Sequence, residues 1–154
     1  MKKIFVFSDT HGSTDGCMRI IGGAKKADAI IHAGDYVRDA DDLKSVFPDV
    51  PVYNVRGNCD FLSNEVNDKI EIIDGVKIFI THGHSYNVKT TLSELKRKGH
   101  ELNADVVVFG HTHVPVVDID GGMIIVNPGS SSARGTYAVI TIDNKKARAD
   151  IFNM

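Results

Sequence analysis

Two histidines one residue apart, His111 and His113, follow an apolar run, Val106–Phe109, that reads as a buried strand. Gly110 lets the chain leave that strand in a turn, so both imidazoles can face the end of a sheet. Comparable clusters stand at four other strand ends: 8-SDTHG-12, 32-HAGD-35, 56-RGNCD-60 and 81-THGHS-85. Singly, each fits a turn or a helix cap, where Asp, Asn and Gly are common. If the sheet order brings these ends together, carboxylates, imidazoles and an amide oxygen converge on one place. That donor set suits Mn²⁺, Fe²⁺, Zn²⁺ or Ni²⁺ better than Ca²⁺ or Mg²⁺, which prefer all-oxygen shells. Asp9, His11, Asp35, Asn58, His82, His111 and His113 are too many ligands for one ion. They suffice for two ions about 3.5–4 Å apart sharing a carboxylate, an arrangement that clamps phosphoryl oxygens and acidifies the water between them.

The elements that must position these residues are legible as alternating runs. Strands are expected at Ile4–Phe7, Ala29–His32, Pro51–Val55, Ile70–Ile73, Val76–Thr81, Val106–Phe109, Val114–Ile119, Met123–Val126, Tyr137–Ile142 and Ala147–Phe152, most of them rich in Val and Ile. Helices are expected at Ser13–Ala27, Ala40–Val46 and Val88–Lys98. The first half alternates strand and helix. From residue 105 onward tight turns such as Asp120-Gly121-Gly122 and Asp143-Asn144 favour hairpins, so the second half reads as largely antiparallel. Together they predict an α/β fold, two mixed β-sheets face to face with helices outside, binding ligands at the carboxyl ends of the strands.

Composition narrows the function classes. The chain has 154 residues, enough for one domain with its own core, and its net charge of −2 offers no basic field for nucleic acid. Cys17 and Cys59 match no Cys-x-x-Cys pattern and read as free thiols. The N-terminal MKKIFVFSD has an apolar run of only Ile4 to Phe7, too short for a signal peptide, and no stretch reaches membrane-spanning length. A cytoplasmic protein with no membrane partner is expected. Homo-oligomerisation is left open.

The ordered set Asp9-x-His11, Gly34-Asp35, Gly57-Asn58, His82-Gly83 and Gly110-His111-x-His113 resembles the signature of the calcineurin-like metallophosphoesterase superfamily, in order and along the whole chain. The short length and the fragments HAGD, VRGNCD, THGH, FGHTH and NPGS resemble its small YfcE-like phosphodiesterase branch. The resemblance implies a four-layer αββα sandwich, with residues 1–154 forming one phosphoesterase domain. It also implies a dinuclear centre: Asp9, His11 and His113 on the first ion, Asn58, His82 and His111 on the second, and Asp35 bridging. Mn²⁺ is the first expectation. The implied reaction is hydrolysis of a small phosphodiester by a hydroxide bridging the ions, with Asp35, Asn58, His82 and His111 nearest the chemistry.

Other residues invite two readings each. His32 reads as a partner steadying Asp35 or as a core histidine, and Asp60 as orienting a ligand. His84 reads as a ligand or as facing the phosphate. Arg56 offers a guanidinium fork to phosphate or forms a salt bridge. Asn127-Pro128-Gly129-Ser130 reads as a turn supporting the site, while His100 and Cys17 read as structural or exposed. Cys59 departs from the family pattern, in which larger members place a histidine thought to protonate the leaving group. A phosphomonoesterase or nucleotide phosphatase is the enzymatic alternative, and a non-catalytic scaffold like the retromer subunit of this fold is another.

Overall fold

A computed structural model describes all residues, 1–154. Ten strands form two five-stranded mixed sheets. The first has the order β10-β9-β1-β2-β3, from β1 (Lys2–Phe7), β2 (Ala29–His32), β3 (Val52–Asn54), β9 (Thr136–Asp143) and β10 (Lys146–Asn153). The second has the order β4-β5-β6-β8-β7, from β4 (Asp68–Ile73), β5 (Val76–Thr81), β6 (Val106–Val108), β7 (Val116–Asp120) and β8 (Met123–Asn127). Every expected strand is present.

Three side-chain clusters define the layers. Ile4, Val6 and Ile31 of the first sheet pack against Ile78, Val106 and Val126 of the second, filling the space between the sheets. On the outer side of the first sheet Phe7 and Ile30 meet Cys17 and Ile21 of α1 (Asp15–Gly23) and Leu43 of α2 (Val37–Val46). On the outer side of the second, Phe79, Val107 and Ile125 meet Leu95 of α3 (Ser93–Glu101). The α/β sandwich is therefore four layers deep, αββα. Strands buried on both faces need continuous apolar runs, as in Val106-Val107-Val108.

Three hairpins are closed by two-residue turns with both residues left-handed: Asp74-Gly75, Gly121-Gly122 and Asn144-Lys145. Such turns match the strand twist, which is why Gly and Asn recur in them. The antiparallel expectation for the second half needs correction, because β6 pairs in parallel with both β5 and β8. The β7–β8 hairpin returns β8 to lie beside β6 pointing the same way, a crossover that turn chemistry does not reveal. The helix expectations also shift. The first is shorter than Ser13–Ala27, the second begins at Val37 rather than Ala40, and the third begins only at Ser93. Residues 84–86 instead form a single 3₁₀ turn, and left-handed Asn87 ends it.

Parallel neighbours β1, β2 and β3 in one sheet, and β5, β6 and β8 in the other, direct their carboxyl ends to the same edge of the sandwich. The polar clusters meet there. No helix is long and apolar enough to cross a membrane.

Candidate metal centre

At that edge, Asp9 at the end of β1 is fully buried, and its two oxygens have different duties. Oδ2 accepts from the Ser8 hydroxyl at 2.6 Å and from the His111 N–H at 3.0 Å, which fixes the carboxylate. Oδ1 has no hydrogen-bond partner, although it is buried. It faces the Nε2 atoms of His113 at 3.2 Å, His82 at 3.8 Å and His11 at 3.9 Å. Asp35 Oδ2 lies 3.5 Å from His82 Nε2 and 3.8 Å from His11 Nε2. Two buried carboxylates ringed by imidazoles need a positive charge between them.

The tautomer of His82 points the same way. Its Nδ1 lies 2.7 Å from the Ala33 carbonyl, which can only accept, so Nδ1 carries the proton. Its Nε2 faces three oxygens: Asp9 Oδ1, Asp35 Oδ2 and, at 3.0 Å, Asn58 Oδ1. Lone pairs facing each other repel unless a cation, or a proton on His82, sits among them. The donor set fits divalent ions. Ligand atoms of Asp9, His11 and His113 lie within 4.8 Å of one another, as do those of Asp9, Asp35 and His82. A third such group joins His11 and Asp35 to the thiol of Cys59. His111 stands edge-on to His82, ring centres 5.1 Å apart, and so belongs to the His82 side.

The backbone that presents these groups is unusual. Asp9, His11, Asp35, His111 and His113 all adopt left-handed conformations, with φ of 53°, 48°, 47°, 69° and 61°. Few non-glycine residues do so, though Asp and His are among the more tolerant. Gly110, expected to supply the turn, has an ordinary φ; a Cβ there would instead collide with Ser8 and the Asp9 carboxylate. Close approach, not turn conformation, requires that glycine.

Several neighbours brace the loops. Asp60 Oδ2 accepts the N–H groups of Gly57 at 2.7 Å and Asp35 at 3.2 Å, tying the loop after β2 to the loop after β3. Cys59 N–H donates to Asp35 Oδ1 at 3.0 Å. Burial opposes the charge on Asp35, but His82, the Cys59 amide and thiol, and His11 outweigh it, and the carboxyl is held below its ordinary range. Burial and the bonded Asp35 push the Cys59 thiol up to about 11, so it stays protonated at neutral pH. Burial, and then the proximity of His82, lower the pKa of both His84 and His111. These imidazoles are neutral near pH 7.

His32 does not touch the Asp35 carboxylate. Its Nδ1 accepts the Gly34 N–H at 3.3 Å, and its Nε2 meets the Thr10 hydroxyl at 2.9 Å. Thr10 donates in turn to Asp39 Oδ2 at 2.5 Å, which also accepts the Gly12 N–H at 2.8 Å. This chain holds the loop on which Asp9 and His11 are carried. Thr10, Asp39 and Ser8 gave no sequence signal beyond their polarity, since their partners lie far along the chain. On the opposite flank, Asn127 donates to the Gly110 carbonyl and to Thr112, and Ser130 Oγ donates to the Asp9 carbonyl at 2.8 Å. Asn127, at the end of β8, and Ser130 thus support the site's loops through hydrogen bonds, although residues 128–130 leave the strand as irregular chain and not as the expected turn. Cys17 is buried and donates to the Ser131 carbonyl, and exposed His100 pairs with Asp120 at 2.8 Å.

Arg56 makes no ion pair. Its Nη1 donates to the Ser63 carbonyl at 3.3 Å, and its buried Nε has no partner. The Nδ1 of His84 is likewise buried and unpartnered, with the ring 6.2 Å from that of His111.

Burial holds His32 neutral, with its pKa lowered to about 4 against neighbouring Asp39, Asp9 and Asp60 that favour the charge. The folded value lies below the unfolded value of about 6.5, so the unfolded chain takes the proton first. Stability contributed by neutral His32 is complete above pH 6.5 and drains away as pH falls toward 4. The total is about 3 kcal/mol. Urea unfolding at stepped pH is expected to show that loss in the wild type and a shallower one in His32→Asn; equal slopes would rule the effect out.

These features make a candidate metal centre at one edge of an αββα sandwich. A model of the calcineurin-like phosphoesterase superfamily domain matches residues 1–145, and the chain belongs to that superfamily. It is 31% identical over 157 residues to the probable metallophosphoesterase YsnB of Bacillus subtilis, covering 97% of this chain and 90% of that protein. It is 28% identical over 160 residues to the phosphodiesterase YfcE of Escherichia coli, covering 86% and 80%. Among solved structures, a predicted phosphoesterase from Streptococcus pneumoniae matches with a TM-score of 0.83 at 27% identity, over 99% of this chain and 89% of that one. Vacuolar protein sorting 29 from Cryptosporidium parvum matches with a TM-score of 0.77 at 18% identity, over 99% and 97%, a likeness of fold alone.

Proposed function

We propose that the chain is a divalent-metal-dependent phosphodiesterase acting on small phosphodiesters in the cytoplasm, with residues 1–154 as one catalytic domain. The observation that carries this reading is Asp9 Oδ1, buried and unpartnered among three imidazole nitrogens beside a second carboxylate. Asp9, His11 and His113 would hold one ion, and Asn58, His82 and His111 the other, with Asp35 shared. Two such ions, Mn²⁺ foremost with Fe²⁺, Ni²⁺ or Zn²⁺ as alternatives, would acidify a water and neutralise phosphoryl charge.

The chain's own residues supply the rest. Asp35 is kept ionised by its neighbours, and the Ala33 carbonyl fixes the His82 tautomer. His84, neutral and half-buried beside His111, would meet a phosphoryl oxygen through the exposed edge of its ring. Arg56 holds Ser63 through Nη1 and keeps its charge near His84. Phosphodiesterase-named relatives such as YfcE support the diester over the monoester, and free Cys17 and Cys59 accord with a reducing compartment. The scaffold reading rests on Vps29-like folds of low identity, and the full ligand set speaks against it.

The test is hydrolysis of matched mono- and diesters with metal content measured in the same sample. Diesters are expected to be preferred; a preparation that binds metal yet cleaves only monoesters would replace this reading with the phosphatase. A series of diesters with leaving groups of graded acidity tests a second expectation. A thiol pushed up to about 11 is a reluctant acid, so rates should rise steeply with leaving-group acidity and change little in Cys59→Ala. A shallow dependence that becomes steep in Cys59→Ala would make the thiol the proton donor.

A further inference from the structure

Beside the carboxylate and imidazole cluster lies a cleft of about 460 Å³, walled by the start of α2 at Tyr36 and Arg38 and by the loop from Cys59 to Ser63. Its size is that of a small-molecule site. The walls are tied together: Asp60 Oδ1 accepts the Val37 N–H at 2.9 Å, and the Asp60 carbonyl accepts the Ser63 N–H at 3.1 Å. Arg56 braces the same loop through the Ser63 carbonyl. On this braced loop Phe61 and Leu62 are 82% and 99% exposed, with no apolar surface of the chain covering them. Large apolar side chains left in water beside a polar reaction centre mark a binding surface.

The cleft opens onto the cluster itself. Cys59 lines it, and the same thiol lies within 4.8 Å of the ligand atoms of His11 and Asp35. Tyr36 stands edge-on to His11 with ring centres 5.2 Å apart. Two other cavities, around Met1 with Arg148 and around Lys3 with Arg19, are lined by none of the cluster's residues.

We propose that this cleft receives a planar aromatic ring carried as one ester group of the phosphodiester, an inference resting on the reaction assigned above. A phosphate held against the cluster by its ions would leave each ester group to extend outward, and the cleft past Cys59 gives one of them a route lined by Tyr36, Phe61 and Leu62. Tyr36 and Phe61 offer ring faces and edges, and Leu62 an apolar lid. Arg38 is exposed, makes no ion pair, and can lay its guanidinium on a ring. The ring belongs to a simple aryl group or to a nucleobase, and the two share this chemistry.

Calorimetry on the metal-loaded protein tests it without turnover. Phenylphosphonate is expected to bind about tenfold tighter than methylphosphonate, the scale of one small apolar group in a fitted pocket. In Phe61→Ser/Leu62→Ser that ratio should fall to near one, and in Ile72→Ser, an exposed apolar change on β4, it should persist. Adenosine 5′-monophosphate is the third probe: if its affinity falls together with that of phenylphosphonate, the cleft takes nucleobases as well as simple aryl groups, and if its affinity holds while the phenyl preference is lost, the cleft is assigned to aryl esters. The proposal is overturned if the wild type shows no phenyl preference, or if the double variant keeps it. It is equally overturned if the double variant converts a wild-type oligomer to monomer in sedimentation with the ratio unchanged, since Phe61 and Leu62 would then be an interface. An intact phenyl preference in a protein that hydrolyses no diester would instead defeat the phosphodiesterase reading and leave the cleft's ligand class standing.

Discussion

Asp35→Asn is expected to lose at least one bound metal ion and about 10³-fold or more in diester hydrolysis. The substitution keeps the side chain's size but removes the charge that faces His11 at 3.8 Å and His82 at 3.5 Å. A residue shared by two cations weakens both when neutralised, and it leaves their mutual repulsion less compensated. The loop should keep its place, because Asp60 holds the Asp35 N–H and the start of α2 independently of the Asp35 side chain. Metal per protein by elemental analysis, turnover, and a melting curve separate these effects. A folded variant with wild-type metal content and rate would refute the shared-ligand assignment.

Removing metal is expected to have the largest effect of all. A chelator-treated sample should show hydrolysis at background, and Mn²⁺ should restore it where Ca²⁺ at the same concentration does not. Ca²⁺ takes six to eight oxygen ligands, whereas four of the seven proposed ligands here are imidazoles. The melting temperature should also rise on Mn²⁺ addition, since an ion that binds only the folded chain stabilises it by mass action. The gain is about 4 kcal/mol at a thousandfold excess over the dissociation constant. Full activity in a verified metal-free sample would end the metal-dependent mechanism.

Both predictions rest on residues visible in the sequence, because ligands must be Asp, His or Asn and must sit where strands end. Strands were equally legible: runs such as Ile78-Phe79-Ile80 admit few other readings. Their partition into two sheets was not, because pairing depends on contacts distant in the chain, as between β1 and β9. The supports of the site were hidden for the same reason. Ser8 N–H reaches Ser131 Oγ across 123 positions, and Thr10 reaches Asp39 across 29. Val88, Leu92 and Leu95 have helical spacing, yet α3 starts only at Ser93. Asn87 in the left-handed region and the turn bonds from Thr90 and Thr91 to its carbonyl hold the first of these residues outside the helix.

The left-handed backbone at Asp9, His11, Asp35, His111 and His113 bears on how this chain can change over generations. Glycine adopts that conformation freely, and asparagine more readily than most residues, so at these positions the side chains present are not those that backbone conformation alone would favour. In a lineage released from the demand for chemistry, His11, His111 and His113 would be the positions free to give way to glycine or asparagine, whereas Asp9 and Asp35 also accept the hydrogen bonds that hold the loops and would be kept for folding.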